Sequence, residues 1–267
     1  MQIETLDLDG QILRVATRRG SDASPPLVIF NGIGANLELV APFVDALDDV
    51  RVVVYDMPGV GGSPAPLWPY RFATLSVLTD RLLSRLGHDG PVDVLGVSWG
   101  GALAQQFALM HPVRCRRLVL ASTSSGAVML PGRLSVLSKL VGPRRYTDRA
   151  YLRKVGAEIY GGKYRSDPAL LDEHSRYIQA PRGRGYLYQL FAMAGWTSLP
   201  WLPALRQPTL VLHGNDDPIV PLSNAKILAA LIRDARLHVI DDGHLLLITR
   251  AQEVGPVVRE FLRRGSS

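Results

Sequence analysis

The segment Gly96-Val97-Ser98-Trp99-Gly100-Gly101 contains the pattern Gly-x-Ser-x-Gly, which is typical of serines that attack acyl carbons. An apolar run with strand character precedes this segment, and a run with helical periodicity follows it. The serine backbone is strained in such a tight strand-to-helix turn, so its neighbours two residues away must be glycine to avoid clashes. The helix N-terminus behind the turn favours developing negative charge. We therefore expect Ser98 to be a nucleophile.

A nucleophilic serine needs a base that takes its proton, and chains with this motif carry their triad in the order serine, acid, histidine. The chain has six histidines, and His244 follows the last predicted strand in Asp241-Asp242-Gly243-His244. A loop at this place can reach back over the sheet, and Gly243 lets the chain bend there. The sequence therefore predicts His244 as the base, whereas His213 and His238 lie in strand patterns and are expected to be structural.

The acid of the triad should follow the preceding predicted strand, which ends at Gly214-Asn215-Asp216-Asp217-Pro218. Two adjacent carboxylates compete for this role. The Gly-x-x-Asp spacing and the prolines that follow favour Asp217, while Asp216 remains the alternative and could instead cap the turn. The acid is expected to hold the imidazole in one tautomer and to stabilise the imidazolium, without accepting the proton itself.

The tetrahedral intermediate of acyl transfer needs an oxyanion hole, which backbone N–H groups can supply. One donor is expected to be the amide of Trp99, the residue after the nucleophile. The other is expected from Asn31-Gly32-Ile33-Gly34, which follows the third predicted strand, and the amide of Ile33 is the predicted donor. Asn31 is expected to brace this loop by side-chain hydrogen bonds and to contribute to substrate binding.

Short apolar strand patterns alternate with longer helical patterns along most of the chain. Strands are predicted at 2–8, 11–17, 27–30, 51–55, 91–96, 115–122, 209–213 and 236–240. Asp9-Gly10, between the first two strands, predicts a hairpin. Strands that alternate with helices imply a mostly parallel central sheet with helices on both faces, so the predicted fold class is α/β.

This alternation breaks after residue 123, where helical patterns are interrupted by many glycine and proline residues. We interpret residues 124–205 as an inserted helical lid, and residues 1–123 and 206–267 as the core. The lid carries most of the excess positive charge, because it holds 12 Lys and Arg against 5 Asp and Glu in a chain whose net charge is +6. Charge confined to one segment, without a zinc-finger or RNA-binding signature, favours a solvated basic face over nucleic-acid binding.

Composition and motifs also argue against other classes of protein. The glycine-rich segment 56–63 lacks the Gly-Lys-Ser/Thr ending of a phosphate loop, and no His, Cys, Asp or Glu cluster has metal-ligand spacing, so no cofactor or metal is implied. No apolar run approaches the roughly 20 residues needed to span a bilayer. The N-terminus has neither the basic nor the apolar region of a secretory signal, so a cytoplasmic location is expected.

Longer segments around these motifs support a more specific interpretation. They are NGIGANLEL (31–39), PYRF (69–72), GVSWGGALAQQF (96–107) and DDGH (241–244), together with GAV (126–128) and GWTS (195–198) in the predicted lid. In these segments the chain resembles the intracellular depolymerases of medium-chain-length polyhydroxyalkanoates, from about residue 3 to residue 262. The lid segments matter most, since the triad alone identifies only the α/β-hydrolase superfamily.

The resemblance implies an α/β-hydrolase fold that hydrolyses the ester bonds of a stored bacterial polyester to 3-hydroxyalkanoic acids. It places the family's nucleophile, acid and base on Ser98, Asp217 and His244. The implied partners are the polyester and the surface of the polyester granule, and no cofactor is implied. One departure is His213 beside Gly214, where family members are expected to carry a small residue.

The aromatic residues of the predicted lid suit an apolar polyester. Trp196, Trp201 and Phe191 are predicted to bind the polymer or to lie on the granule surface. At least half of the lid aromatics are expected instead to pack the lid onto the core.

Related functions remain open alternatives. General carboxylesterases, carbon–carbon bond hydrolases and cofactor-free perhydrolases use the same triad and differ in the lid and the pocket. Ser98 argues against dehalogenases and epoxide hydrolases, which use an Asp nucleophile, and against polyester synthases, which carry Cys at this turn. A catalytically silent binding protein on this fold is disfavoured because Ser98, Asp217 and His244 are all present.

Overall fold

The computed structural model describes residues 1–21, 24–140, 142–167, 169–180 and 183–264, and an eight-stranded sheet forms its centre. The strands are β1 (Gln2–Leu8), β2 (Gln11–Arg18), β3 (Leu27–Phe30), β4 (Val52–Tyr55), β5 (Val92–Val97), β6 (Cys115–Ala121), β7 (Thr209–Gly214) and β8 (Ala235–Ile240). Their order across the sheet is β1-β2-β4-β3-β5-β6-β7-β8. β2 pairs antiparallel with both β1 and β4, and the other pairs are parallel. The predicted α/β class with a mostly parallel sheet is confirmed.

Both faces of the sheet are apolar. Successive side chains of a strand point to opposite sides, so a run of consecutive apolar residues contributes to both faces. In β4, Val53 and Tyr55 pack into one apolar cluster, whereas Val52 and Val54 pack into a second cluster on the other face. All four side chains are buried, as expected of a strand in a sheet that is covered on both sides.

Helices cover both faces of the sheet and also fill the long connection between β6 and β7. They are α1 (Ala41–Asp45), α2 (Phe72–Arg85), α3 (Trp99–Met110), α4 (Leu134–Leu140), α5 (Arg144–Thr147), α6 (Arg149–Tyr160), α7 (Lys163–Ser166), α8 (Ala169–Tyr177), α9 (Gly185–Met193), α10 (Leu222–Leu231), α11 (Leu246–Thr249) and α12 (Ala251–Arg263). On the face of the sheet that carries Val53, the apolar cluster includes residues of α2, α3 and α10. On the opposite face, which carries Val52, the cluster includes residues of α1, α11 and α12. Among the helices of the described ranges, none has the length and apolar character that crossing a membrane requires.

The helices α4–α9 occupy the connection between β6 and β7, and we call residues 124–205 the insert. The helices α4, α6, α7 and α8 share an apolar cluster of their own, which includes Ile159 and Tyr164, whereas Tyr188 and Ala192 of α9 belong to the cluster that contains Val53. Because β3 and β5–β8 are parallel, their carboxyl ends share one edge of the sheet, and the insert starts from this edge. The loops that carry the predicted site residues follow strands that end at the same edge. That the insert acts as a separate lid stays a prediction.

Candidate active site

Ser98 occupies the turn between β5 and α3, with backbone angles φ 54° and ψ −119°. A non-glycine residue in this conformation carries strain on the order of 1–3 kcal/mol, which its surroundings must offset. The Ser98 N–H donates to the carbonyl of Ala121 at 2.9 Å, and the Ser98 carbonyl accepts a bond from Thr123 Oγ1 at 2.7 Å. These bonds hold the strained turn against the end of β6.

The glycines around Ser98 are required by close backbone contacts. A Cβ atom on Gly100 would lie 2.1 Å from the carbonyl oxygen of Phe30, and one on Gly96 would lie 2.2 Å from the carbonyl oxygen of Gly100. α3 can therefore start against the end of β3 only because these positions lack side chains. The same packing brings the loop after β3 to the serine, since a Cβ on Gly32 would lie 3.7 Å from Ser98 Cβ.

Asp217 and His244 lie on the loops after β7 and β8 and are joined by a hydrogen bond of 2.7 Å between Asp217 Oδ2 and His244 Nδ1. Asp217 Oδ1 accepts the backbone N–H groups of Ile219 and Val220, both at 2.9 Å. Both side chains of the pair are buried. An ionised carboxylate only accepts hydrogen bonds, so the imidazole hydrogen lies on Nδ1 and Nε2 keeps the lone pair that a base needs.

The two carboxylates that the sequence leaves as alternatives have different contacts. Asp216 Oδ2 accepts the N–H of Gly162 at 2.8 Å and pairs with Arg165 Nε at 2.8 Å, so this side chain is directed at the insert. Asp217 is the carboxylate that contacts His244. Asp216 thus anchors the insert to the loop after β7.

The insert also holds the loop that carries His244. The N–H of His244 donates to the carbonyl of Tyr160 at 2.8 Å, and the N–H of Lys163 donates to Asp242 Oδ1 at 2.8 Å. A Cβ on Gly243 would lie 2.0 Å from the carbonyl oxygen of Tyr160. This contact between the loop and the insert is therefore the structural reason for glycine at position 243.

His213, where the resembled family is expected to carry a small residue, is fully buried beside Asp217. Its Nε2–H donates to the carbonyl of Val220 at 2.8 Å, and Nε2 lies 3.6 Å from Asp217 Oδ2, beyond hydrogen-bonding distance. Burial lowers the pKa of His213, so this imidazole is neutral at pH 7. His213 thus fixes the loop after β7 without placing a positive charge beside Asp217.

The predicted oxyanion-hole residues Ile33 and Trp99 lie at the same cavity as Ser98 and are held by α9 of the insert. Gln189 on this helix accepts the N–H of Gly34 on its Oε1 at 2.7 Å. Its backbone carbonyl accepts the indole N–H of Trp99 at 2.8 Å. One buried residue of the insert therefore contacts both segments that are predicted to bind the oxyanion.

These residues surround a cavity of about 320 Å³. Five of the predicted site residues line it, namely Asn31, Ile33, Ser98, Trp99 and His244. Asn31 also donates from Nδ2 to the carbonyl of Asn36 at 3.0 Å, which braces the loop after β3. Most of the remaining lining is apolar and includes Leu39, Val40, Leu137, Leu190, Met193 and Ile248. A cavity of this character suits an apolar acyl chain.

The three lid aromatics that are predicted to bind substrate do not line this cavity. Trp196 packs against Phe72 and Trp201, with ring centroids 5.0 Å and 5.8 Å apart. Phe191 is 40% exposed, and the guanidinium of Arg71 lies 3.9 Å from the centre of its ring. The two tryptophans thus connect the insert to α2. Their contact with a substrate, like that of Phe191, stays a prediction.

Three residues of the insert that contribute to the site escape prediction from the sequence. Arg145 and Tyr146 line the cavity, and Gln189 contacts its loops. The first two lie in a helix of only four residues, which carries no motif. Gln189 does leave a signal, because it is the one polar amide in the otherwise apolar and aromatic segment GYLYQLFAM. Its partners, however, are distant in sequence.

Known proteins resemble this chain along almost all of its length. A family model of the α/β-hydrolase fold matches residues 25–251. A poly(3-hydroxyalkanoate) depolymerase of Ectopseudomonas oleovorans is 53% identical over 261 residues, which are 97% of this chain and 92% of the relative. A pimeloyl-[acyl-carrier protein] methyl ester esterase of Aromatoleum aromaticum is 30% identical over 90% of this chain and 98% of its own.

Solved structures agree with this assignment. The crystal structure of an enol-lactonase from Burkholderia xenovorans superposes with a TM-score of 0.83 at 25% identity, covering 98% of this chain and 100% of the other. The resemblance inferred from the sequence motifs is confirmed by these matches. The chain therefore belongs to the α/β-hydrolase family and, within it, to the family of the poly(3-hydroxyalkanoate) depolymerases.

Proposed function

We propose that this protein hydrolyses the ester bonds of poly(3-hydroxyalkanoate) with side chains of medium length and releases 3-hydroxyalkanoic acids. The observation that carries the proposal is the 53% identity to a depolymerase over 97% of the chain. The apolar cavity around Ser98 and His244 supports it, because the acyl part of such a polyester is itself apolar. The protein is thus a carboxylic ester hydrolase.

The proposed cycle uses Ser98, His244 and Asp217. Ser98 attacks the ester carbonyl while His244 Nε2 takes the serine proton, and His244 then protonates the leaving hydroxyl. The acyl chain stays on Ser98 until a water molecule, activated by His244, releases it as an acid. Asp217 keeps the hydrogen on Nδ1 and stabilises the imidazolium, which the 2.7 Å bond between the two side chains supports.

The amides of Ile33 and Trp99 are the proposed donors to the oxyanion. Both residues line the cavity, and the loop after β3 lies against Ser98. Gln189 is a positioning residue in this proposal, since it bonds to Gly34 beside one donor and to the side chain of the other. Fixed donors of this kind stabilise charge in the transition state without reorganising during the reaction.

A general carboxylesterase acting on small apolar esters is the second candidate. The 30% identity to a methyl ester esterase over 90% of the chain favours it. The polymer remains the better-supported substrate, because the depolymerase is 53% identical over 97% of the chain. Exposed apolar side chains next to the insert support the same choice, since a water-insoluble polyester must be bound at a surface.

Exposed apolar side chains lie on α9 and on the loop before α2, and we propose that they form one apolar patch. They are Leu67, Trp68, Leu187 and Phe191, of which Trp68 is 80% exposed. Tyr188 joins the two segments, because its hydroxyl donates to the carbonyl of Leu67 at 3.1 Å. Large exposed apolar patches mark binding surfaces. Leu190 of the same helix lines the cavity. We therefore propose that this patch binds the granule surface and that the insert acts as a lid next to it.

Replacement of Ser98 by alanine is expected to abolish hydrolysis of emulsified medium-chain-length polyhydroxyalkanoate and of nitrophenyl octanoate, because no other group forms the acyl-enzyme. Acid release from the polymer and nitrophenol release from the ester provide the measurements, and thermal unfolding checks that the variant is folded. Turnover of the soluble ester alone by the wild type would favour the general esterase. Polymer hydrolysis by a pure Ser98→Ala preparation would refute the assignment of the nucleophile.

The two neighbouring carboxylates allow a matched test of the acid. Asp217→Asn should lower kcat by a factor on the order of 10³ to 10⁴, because an amide at this position stabilises the wrong imidazole tautomer. Asp216→Asn keeps an acceptor for the N–H of Gly162 and loses a half-exposed ion pair, so kcat should change by no more than about threefold. Steady-state kinetics on nitrophenyl octanoate measure both, and a larger loss for Asp216→Asn would contradict the assignment.

The apolar patch predicts a difference between insoluble and dissolved substrates. Trp68→Ser should slow hydrolysis of the emulsified polymer severalfold while nitrophenyl octanoate is hydrolysed at the wild-type rate, because Trp68 lies outside the cavity. Val113→Ser is the control, since Val113 is equally exposed but lies before β6, at the opposite edge of the sheet. Equal losses on the two substrates, or equal effects of the two variants on the polymer, would count against the patch.

A further inference from the structure

Arg145 is a buried cation that faces the cavity, and it has no acidic partner among the residues that the structure describes. It is only 4% exposed, and among the described residues that line the cavity it is the sole Arg or Lys, with no Asp or Glu beside it. Its Nη1 donates to the carbonyl of Leu140 at 3.2 Å and to Tyr186 Oη at 3.1 Å, and its Nη2 donates to Tyr146 Oη at 3.2 Å. A guanidinium keeps its charge when buried, so the positive charge at this place is permanent.

The neighbouring side chains do not neutralise this charge. Burial raises the pKa of Tyr186, which therefore stays a neutral phenol at pH 7. Burial also lowers the pKa of His174, another residue of the cavity lining, to about 4, so this imidazole is neutral as well. A buried charge that lacks a counter-ion is unfavourable, and an anionic ligand would supply the missing partner.

The position of Arg145 connects it to the reacting groups. The hydroxyl of Tyr146, the next residue, donates to the carbonyl of Ile33, whose amide is a proposed oxyanion donor. The ring of Tyr146 also packs on the same loop, where a Cβ on Gly34 would lie 2.8 Å from its Cε2 atom. α5 therefore rests on the oxyanion loop, and Arg145 lines the same cavity as Ser98.

We propose that the guanidinium of Arg145, which the hydroxyl oxygens of Tyr146 and Tyr186 orient, forms a carboxylate-binding subsite in the active-site cavity. The hydrogens of these two hydroxyls are bonded to the carbonyls of Ile33 and Leu140, so the guanidinium alone donates to the ligand. This inference rests on the proposed function and names the part of the substrate that is recognised. In a poly(3-hydroxyalkanoate), only an ester oxygen, a methine and a methylene separate the free terminal carboxylate from the last ester carbonyl. A guanidinium is well suited to bind such a carboxylate through two parallel hydrogen bonds.

A chain end bound in this way presents its last ester bond to Ser98. The serine oxygen bonds to the carbonyl carbon, the bond from this carbon to the ester oxygen breaks, and the ester oxygen takes its proton from His244. The terminal unit leaves as a 3-hydroxyalkanoate, and water then supplies the hydroxyl that releases the shortened chain from Ser98. The same carboxylate chemistry is present in the free product, so the anion can come from the chain end or from released 3-hydroxyalkanoate.

The test compares the 3-hydroxyoctanoate dimer with its methyl ester, which contain the same scissile bond with and without the carboxylate. The wild type is expected to prefer the free acid in kcat/KM, and Arg145→Gln is expected to reduce this preference about 10- to 100-fold, as for the loss of a charge-assisted hydrogen bond. The ratio of the two substrates cancels any general loss of activity. Arg144→Gln removes the same charge from the adjacent, exposed residue and should leave the ratio unchanged.

Inhibition of nitrophenyl octanoate hydrolysis by 3-hydroxyoctanoate separates the two sources of the anion. If the wild type prefers the free-acid dimer and Arg145→Gln loses this preference, the bound anion is the chain end. If the wild type shows no such preference but is inhibited by 3-hydroxyoctanoate, and Arg145→Gln is not inhibited, the bound anion is the released acid. Where Arg145→Gln does not fold, Tyr186→Phe keeps the ring but removes an oxygen that orients the guanidinium, and it should weaken the preference for the free acid severalfold. A wild type with neither preference nor inhibition overturns the subsite. Product inhibition in a wild type that hydrolyses no 3-hydroxyalkanoate ester overturns the proposed function and leaves the subsite standing.

Discussion

The contact between the backbone of α3 and the end of β3 determines the geometry of the site. Gly100 lies against the carbonyl oxygen of Phe30 with no room for a Cβ atom, and this close packing holds Ser98 at a positive φ. It also places the loop after β3 beside the serine, where Ile33 can offer its amide. The parallel sheet contributes the other half, since β7 and β8 end at the same edge and carry Asp217 and His244 on their loops.

The insert takes part in this arrangement through hydrogen bonds from its backbone and side chains. Tyr160 holds the amide of His244, Gly162 bonds to Asp216, and Gln189 contacts the loop after β3 as well as Trp99. A movement of the insert would therefore change the positions of His244 and of the proposed oxyanion donors together. This coupling gives the helices between β6 and β7 a role in arranging the site, in addition to forming one wall of the cavity.

The sequence allowed prediction of those parts of the site that local rules determine. The turn around Ser98 needs glycine on both sides, and His244 follows the last strand, so both positions can be read from motif and order. Asp216 and Asp217 are adjacent and chemically identical. The motif spacing favours Asp217, and the contacts with Gly162 and His244 show which of the two carboxylates lies at the histidine. Arg145 could not be predicted, because it lies in a helix of four residues that carries no motif. Gln189 could not be predicted, because its partners Gly34 and Trp99 are far away in the chain. Trp196 was predicted from its apolar character alone, which cannot separate packing against Phe72 from contact with a substrate.

Ser98 is proposed to carry the acyl chain during hydrolysis of the polyester. Labelling with an alkyl fluorophosphonate tests this role, because the reagent bonds irreversibly to an activated serine hydroxyl. We expect mass spectrometry of the digested protein to find one phosphonyl group on Ser98, and polymer hydrolysis to fall in proportion to the fraction modified. A label on a different residue, or full polymer hydrolysis by protein whose Ser98 is completely modified, would show that Ser98 is not the nucleophile.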